Sequence, residues 1–276
     1  IAAVITDSET HHKYALMDLK LMPLYAILDP ELTVGLPPRT TATTGMDALT
    51  HAIEAYISWT YNTKESLRLA EEAVKLIFDN LEVAYAHGED LKARENMMIA
   101  AFKAGFAFSR AGVGNVHAIA HTLGGLYNTP HGLANALMID EVLRFNAQEI
   151  PAKMGTFPQY AYPHTLARYA MVAESLGLKG KNDQESLDNL INAIDELKAK
   201  VGMKPTIKDY VPDEKDFLDR LDAMTEQAFD DQCTGANPRY PLMSEIKQMY
   251  LDAYYGKKFV EKEYPVLETE ETVDDV

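Results

Sequence analysis

The sequence TGMDALTHAIEAY, from Thr44 to Tyr56, places an aspartate and a histidine four residues apart in an apolar run. On an α-helix, Asp47 and His51 would lie one turn apart on the same face. A break at residues 37–38, Pro-Pro, precedes this stretch, and beyond it apolar residues recur at helical spacing with few glycines or prolines. The stretch therefore predicts a helix with two candidate ligands, in a chain that is predominantly helical.

Helical periodicity continues through most of the chain. The predicted helices span residues 41–58, 64–87, 92–110, 113–124, 131–147, 163–176, 184–201, 214–228 and 242–255. Two short β-like runs precede them, at residues 2–6 and 24–28. From residue 258 the chain is acidic with little apolar periodicity, which predicts an extended or disordered tail.

A second stretch, GNVHAIAHTLGGLYNTPHG from Gly114 to Gly132, carries three more histidines. His117 and His121 are four residues apart, and His131 follows a Tyr-Asn-Thr-Pro turn that can fold the chain back. A lone His-x-x-x-His pair is more often a pair of ordinary core or surface residues than a metal site. Two pairs of side chains spaced four residues apart, together with a further histidine, would place several polar groups in apolar helices. Buried polar groups need a partner, and a shared metal cation would be such a partner.

The chemistry of these side chains limits the choice of cation. One carboxylate with three imidazoles is a borderline ligand set, which suits Fe²⁺ or Zn²⁺ and poorly suits Ca²⁺ or Mg²⁺, cations that prefer oxygen. Spacing alone does not choose between iron and zinc. Five side chains remain candidates at this point: Asp47, His51, His117, His121 and His131.

Charge and composition exclude several other classes of protein. With 42 acidic and 26 basic residues, a net charge of -16 disfavours nucleic acid and anionic membranes as partners. Cys233 is the only cysteine, so no internal disulfide can form. The chain has no apolar run of the roughly 20 residues that span a bilayer and no basic segment of a signal peptide at its start. We expect a cytoplasmic protein and, because the sequence opens without methionine on a strand-like run, part of a longer one.

These segments resemble the iron-dependent (group III) alcohol dehydrogenase family. TGMDALTHAIEAY is similar to the first signature of the family, and VHAIAHTLGGLYNTPHGLANA is similar to the second. The resemblance runs from VITD at Val4 through CTGANPR at Cys233 to about Gly256, and the segment AFDDQCTGANPRYPLMSEIKQMYLDAYYG looks like the alcohol dehydrogenase half of bifunctional aldehyde-alcohol dehydrogenases. The resemblance implies four metal ligands: Asp47, His51, His117 and His131.

The resemblance also implies a fold and a division of the chain. The expected fold is mainly α, the helical metal-binding domain of the dehydroquinate synthase-like/iron alcohol dehydrogenase fold, with a short β remnant of a Rossmann-like domain at the N-terminus. The expected parts are residues 1–36 for that remnant, 37–257 for the helical domain and 258–276 for the acidic tail. The Gly-Gly-Gly-Ser segment that cradles the dinucleotide pyrophosphate in the family is not found here. Most of the nucleotide-binding half is therefore expected upstream, and this chain alone is expected to lack full activity.

The implied activity is the reversible NAD(P)-linked interconversion of short primary alcohols and aldehydes, with the metal as a Lewis acid on the substrate oxygen. Fe²⁺ is the expected metal and Zn²⁺ the alternative, the nucleotide is NAD or NADP, and a homodimer or higher homo-oligomer is expected. The competing hypothesis among enzymes is another member of the same fold, such as glycerol dehydrogenase, which uses zinc and a different ligand pattern. The Asp-x-x-x-His pair with two later histidines argues against it. The competing hypothesis from another class is a non-catalytic helical metal-binding or assembly module.

Five further residues take roles from the resemblance. His121 matches a histidine near the nicotinamide that is not a ligand, which implies a catalytic proton-relay or positioning role; the alternative is an ordinary core histidine. Lys13 matches a position that reaches the cofactor ribose, and Val4 lies on a strand expected near the nicotinamide. Phe108 and Cys233 match positions that line the substrate pocket, although Cys233 is equally well explained as a buried inert thiol.

Overall fold

The computed structural model describes residues 2–8, 13–58, 62–148 and 164–260. Nine α-helices form the body of these described residues. They are α1 (Pro38–Ile57), α2 (Lys64–Ala86), α3 (Leu91–Ala111), α4 (Asn115–Tyr127), α5 (His131–Asn146), α6 (Thr165–Ser175), α7 (Asp183–Lys200), α8 (Glu214–Asp230) and α9 (Met243–Tyr255). Each lies within a few residues of a predicted helix, so the mainly α fold is confirmed.

A two-stranded antiparallel hairpin precedes the helices. Strand β1 (Ala2–Thr6) was predicted, and its partner is β2 (Lys13–Met17), with Ala2 opposite Met17. The prediction of a strand at residues 24–28 is wrong, because that run is irregular and its apolar side chains stand in solvent, with Leu24 94% and Ile27 93% exposed. A strand needs a hydrogen-bonded neighbour, and in the described residues β1 pairs with β2 instead.

Local sequence signals set where several helices begin and end. Thr63 and Ser66 form a reciprocal capping box at the start of α2, which satisfies backbone N–H groups that lack helical partners. The Asp90 carboxylate accepts from Ala93 N at 2.9 Å at the start of α3. Helix α3 ends at Ala111, and the next residue, Gly112, has a φ of 80° that suits glycine because it has no Cβ.

The helices that carry the candidate ligands are packed together in the core. Helix α1 is buried along most of its length, with Met46, Leu49 and Ile53 fully enclosed, and it packs against α2, α3 and α5. Helix α4 in turn packs against α5 and α8. Burying these apolar faces is the main source of stability in such a bundle. It also brings the start of α4 against Glu54, near the end of α1, and the start of α5 against Thr43 of the same helix.

One residue near the start of the predicted tail, Phe259, is packed against the helices, although its neighbours in the chain are exposed. Phe259 is only 6% exposed, and its ring lies edge-on to Phe145 with centroids 5.7 Å apart. Its backbone N–H donates to the carboxylate of Glu141. The rest of the predicted tail, residues 261–276, lies outside the described residues, and the division at residues 36/37 and 257/258 stays a prediction.

Candidate metal centre

The four residues that the resemblance assigned as ligands come together between α1, α4 and α5. One ligand atom from each of Asp47, His51, His117 and His131 lies within 4.8 Å of all the others. Asp47 is the centre of the group: its Oδ2 is 3.8 Å from His51 Nδ1, and its Oδ1 is 3.9 Å from His117 Nε2 and 3.4 Å from His131 Nε2. Residues 84 positions apart in sequence thus share one site.

A tight turn and a glycine bring His131 to this site. Asn128 ends α4 in the left-handed region at φ 51°, and Pro130 then precedes α5, of which His131 is the first residue. Gly132 follows, and a Cβ added there would lie 1.9 Å from the carbonyl oxygen of Thr43 in α1. Only glycine allows α5 to approach α1 this closely, so Gly132 is required by packing beside the ligands.

The histidine rings of the site are stacked on one another and on one aromatic side chain. His51 stacks on His117 with ring centroids 4.6 Å apart, and Phe108 stacks on the His51 ring at 4.3 Å. The His131 ring lies 5.2 Å from that of His117. Phe108, predicted to line a substrate pocket, therefore forms an apolar wall directly against a candidate ligand.

Burial keeps two of the imidazoles neutral. Desolvation, with repulsion from neighbouring histidines, lowers the pKa of His51 to about 4 and the pKa of His117 to about 3. Each ring is therefore uncharged at pH 7 and keeps a nitrogen lone pair. Neutral imidazole is the form that binds a metal ion.

A buried carboxylate, which the sequence analysis did not single out, orients His117. Glu54 is 2% exposed, and its Oε2 lies 2.6 Å from His117 Nδ1. The same carboxyl accepts from Gly114 N at 2.9 Å and Val116 N at 2.7 Å at the start of α4. Burial raises the pKa of Glu54 to about 7, against the effect of these backbone N–H groups. With Nδ1 held in this way, Nε2 of His117 faces Asp47. The signal was available, because Glu54 lies one turn beyond His51 on the same helix.

His121 points to a different group of side chains. Its Nδ1 lies 2.8 Å from Asp231 Oδ2, and Cys233 N donates to Asp231 Oδ1 at 2.8 Å. Burial pushes the pKa of Asp231 upward, but the hydrogen bonds from His121 and Cys233 hold it below its usual value. His121 is placed with Asp231 and Cys233, apart from the set around Asp47, although its ring stacks on His131 at 5.6 Å.

Cys233 lies beside His121, but its thiol is in the protonated, unreactive form. The side chain is 9% exposed, and burial together with the Asp231 carboxylate raises the pKa of the thiol well above its usual value. The thiol is therefore protonated at neutral pH. Asp231 was missed by sequence reasoning, because its only local signal is its position two residues before Cys233.

Asn135 lies in the middle of the candidate ligands and was also not predicted. Its Nδ2 is 2.7 Å from Asp47 Oδ1, 3.2 Å from His117 Nε2 and 3.4 Å from His131 Nε2. Asn135 is one helical turn beyond His131, so spacing could have indicated it.

The residues fit a divalent metal of borderline character. One carboxylate oxygen and three imidazole nitrogens converge, and in the described part of the chain Asp47 lies within ion-pair distance of all three histidines. Such a set of acceptors facing one another is stabilised by a cation.

The predicted nucleotide-binding residues are located only by their backbones. Val4 lies in β1 and Lys13 begins β2. Their side chains lie outside what the structure describes, so contact with a cofactor is not tested.

None of the described helices is long and apolar enough to cross a membrane.

Comparison with known proteins agrees with this arrangement. Residues 41–254 match the model of the C-terminal domain of the Fe-containing alcohol dehydrogenases. The chain belongs to the Fe-containing alcohol dehydrogenase family. An iron-containing alcohol dehydrogenase from Thermococcus thioreducens has the same helical fold, with a TM-score of 0.80 at 31% identity over 93% of this chain and 61% of that one. The expected fold class is confirmed.

Two similar members of the Fe-containing alcohol dehydrogenase family have described activities. An aldehyde-alcohol dehydrogenase of Clostridium acetobutylicum is 46% identical over 91% of this chain, which spans 29% of that protein. An NADPH-dependent butanol dehydrogenase of Clostridium saccharobutylicum is 39% identical over 92% of this chain and 61% of its own length. The chain thus spans from about three tenths to three fifths of these relatives.

Proposed function

We propose that this chain carries the metal centre of a metal-dependent alcohol dehydrogenase that interconverts short primary alcohols and aldehydes with NAD(P). The observation that carries the proposal is the convergence of Asp47, His51, His117 and His131 to within 4.8 Å of one another. The relatives support the reaction class, since one is an aldehyde-alcohol dehydrogenase and another an NADPH-dependent butanol dehydrogenase.

In this proposal the four residues hold one divalent metal, with Fe²⁺ favoured by the family and Zn²⁺ the alternative. When bound, the metal supplies a Lewis acid for the substrate oxygen. Glu54 holds His117 at Nδ1, so Nε2 is the atom presented to the site. Asp47 supplies the negative charge that a dication needs among neutral imidazoles.

Four residues near the metal centre are proposed to act on the substrate side. Asp231 holds His121 at Nδ1, which leaves Nε2 free to exchange a proton with the substrate oxygen. Phe108 stacks on His51 and would exclude water from the alcohol carbon chain. Cys233 would contribute a small, protonated side chain to the substrate pocket beside His121.

The nucleotide is proposed to approach from the N-terminal strands, where Lys13 and Val4 lie. The name of the butanol dehydrogenase relative supports a nicotinamide cofactor. Residues 1–36 would then belong with the nucleotide-binding part and residues 37–257 with the metal-binding part. The cytoplasmic location and the homo-oligomeric state stay predictions.

Metal analysis with activity assays on the product of the whole open reading frame tests the proposal. We expect about one divalent metal per chain and NAD(P)-linked oxidation of ethanol or 1-butanol. His131→Ala is expected to remove the metal and the activity. His87→Ala is the control, because that side chain is 68% exposed. Equal metal content in the two variants would remove His131 from the ligand set, and a metal-loaded protein without turnover would favour a non-catalytic module.

A further inference from the structure

Asn135 is a buried side chain at the metal centre to which neither the family resemblance nor the relatives assign a role. It is completely inaccessible to solvent, in the first turns of α5. Its carboxamide is the one non-ligand group within hydrogen-bonding distance of three of the four candidate ligands, among the residues that the structure describes. Its position therefore relates it to the metal rather than to the apolar core.

The neighbours of the carboxamide determine which end faces the ligands. The Asp47 carboxylate is an acceptor, and His117 Nε2 is an acceptor because its Nδ1 is bound by Glu54. An amide oxygen placed there would add one more acceptor to atoms that already repel one another. The nitrogen end, with two N–H groups, is therefore the end that faces Asp47 and the histidines.

The distances rank the contacts of that nitrogen. The contact with Asp47 Oδ1 is 2.7 Å, within the range of a strong hydrogen bond to a carboxylate. The contacts with the Nε2 atoms of His117 and His131 are longer, at 3.2 and 3.4 Å. The hydrogen bond to Asp47 can also persist beside a bound metal, because a carboxylate oxygen has two lone pairs. A bound metal would instead take the single lone pair of His117 Nε2.

The other end of the carboxamide has no hydrogen-bond partner in the part of the chain that the structure describes. Asn135 Oδ1 is buried and unsatisfied. A buried acceptor without a partner destabilises a folded protein, so an apolar residue would suit this position better if packing alone mattered. Any favourable contribution of the Asn135 amide therefore comes from its Nδ2–H groups.

We propose that Asn135 is a positioning residue of the metal centre, whose Nδ2–H group fixes the Asp47 carboxylate in the orientation that binds the metal. The inference rests on the proposed function, since it needs a metal at Asp47, His51, His117 and His131. Hydrogen-bonding partners of metal ligands typically change metal affinity by about 10- to 100-fold when they are removed.

The test measures metal affinity rather than turnover. Zn²⁺ and Co²⁺ are titrated into the metal-free protein in competition with a chromophoric chelator. We expect Asn135→Ala to weaken binding of both ions by about 10- to 100-fold and to change the visible absorption of the bound Co²⁺. Affinity equal to or tighter than that of the unaltered protein overturns the proposal. No metal binding by the unaltered protein overturns the metal centre itself.

Asn146→Ala is the matched control. Asn146 is a second buried asparagine of α5, bonded to Asn237 and Tyr169, and about 16 Å along the helix from Asn135 at ~1.5 Å per residue. We expect it to lower stability without changing metal affinity or the Co²⁺ spectrum. A similar loss of affinity in both variants would make the role of Asn135 merely structural.

A double-mutant cycle tests whether Asn135 acts through Asp47. In an Asp47→Ala background, the further change Asn135→Ala is expected to alter affinity by less than about threefold, because the carboxylate that it positions is gone. Full additivity of the two losses overturns the proposal. If Asn135→Ala does not fold, Asn135→Ser replaces it, since a helical serine bonds back to the carbonyl one turn earlier and is too short to reach Asp47.

Discussion

His117 and His121 are neighbours on one face of α4, yet they belong to different groups of side chains. Both have Nδ1 bound to a carboxylate, His117 to Glu54 of α1 at 2.6 Å and His121 to Asp231 after α8 at 2.8 Å. The His117 side chain is 3% exposed and lies with Asp47, whereas His121 is 21% exposed and lies apart from that set. Two histidines at helical spacing are thus given different surroundings by the carboxylates that hold them.

The largest expected effect comes from removing each histidine in turn. His117→Ala is expected to abolish stoichiometric metal binding, because it removes a ligand from the buried side of the centre. His121→Ala is expected to keep the metal and to lower kcat by about 10²- to 10⁴-fold, the usual contribution of a positioned acid–base group. Metal analysis and steady-state kinetics on the same preparations check both. Metal loss in His121→Ala would join the two histidines in one site.

Substitution of the two carboxylates, Glu54 and Asp231, tests the same difference between His117 and His121 with smaller expected effects. Glu54→Gln is expected to weaken metal binding by about 10- to 100-fold, because it loosens the orientation of His117. Asp231→Asn is expected to leave metal affinity unchanged and to lower kcat with little change in KM. Chelator competition and a kcat-against-KM comparison measure these effects. If the two variants behave alike, the carboxylates do not separate the two histidines.

Close packing between α5 and α1 positions the candidate ligands around Asp47, the group to which His117 belongs. In Gly132→Ala the new Cβ would lie 1.9 Å from Thr43 O, so α5 must shift. We expect a loss of about 1–3 kcal/mol in the free energy of unfolding, as for other overpacked sites, together with weaker metal binding. Denaturant unfolding measures the first effect. Gly35→Ala is the control, because nothing lies within 4 Å of its added Cβ, and equal losses in both variants would contradict the packing argument.

The smallest expected effect concerns Cys233, beside His121. The raised pKa of the thiol keeps it protonated at pH 8, and a thiol must lose its proton to bind a metal. We therefore expect slow alkylation by iodoacetamide in the folded protein and rapid alkylation after denaturation. Cys233→Ser is expected to leave the metal content at one per chain. A second metal that disappears in this variant would place an ion at His121, Asp231 and Cys233.

The parts of the structure that depend on local sequence were predictable. The helices follow from apolar periodicity and end signals, and the Asp47–His51 pair follows from the four-residue spacing on one helix. Glu54 and Asn135 have a comparable spacing, since each lies about one turn from a candidate ligand. They were missed because a glutamate or an asparagine in a helix carries no distinctive pattern.

Contacts between distant parts of the chain were not predictable from spacing. Asp231 meets His121 across 110 residues, through the packing of α8 on α4. The pairing of β1 with residues 13–17 rather than with residues 24–28 is likewise decided by hydrogen bonding between strands and not by the composition of either run. Family resemblance supplied the separation of His121 from the ligands, which the spacing alone had left open.

The central claim is that one divalent metal binds between α1, α4 and α5. Anomalous diffraction from crystals of the metal-loaded protein, recorded at the absorption edge of the bound metal, tests it most directly. We expect a single peak per chain, at about 2.0–2.2 Å from a carboxylate oxygen of Asp47 and from one ring nitrogen each of His51, His117 and His131. A peak among His121, Asp231 and Cys233 instead, or none at the four residues, would contradict the account.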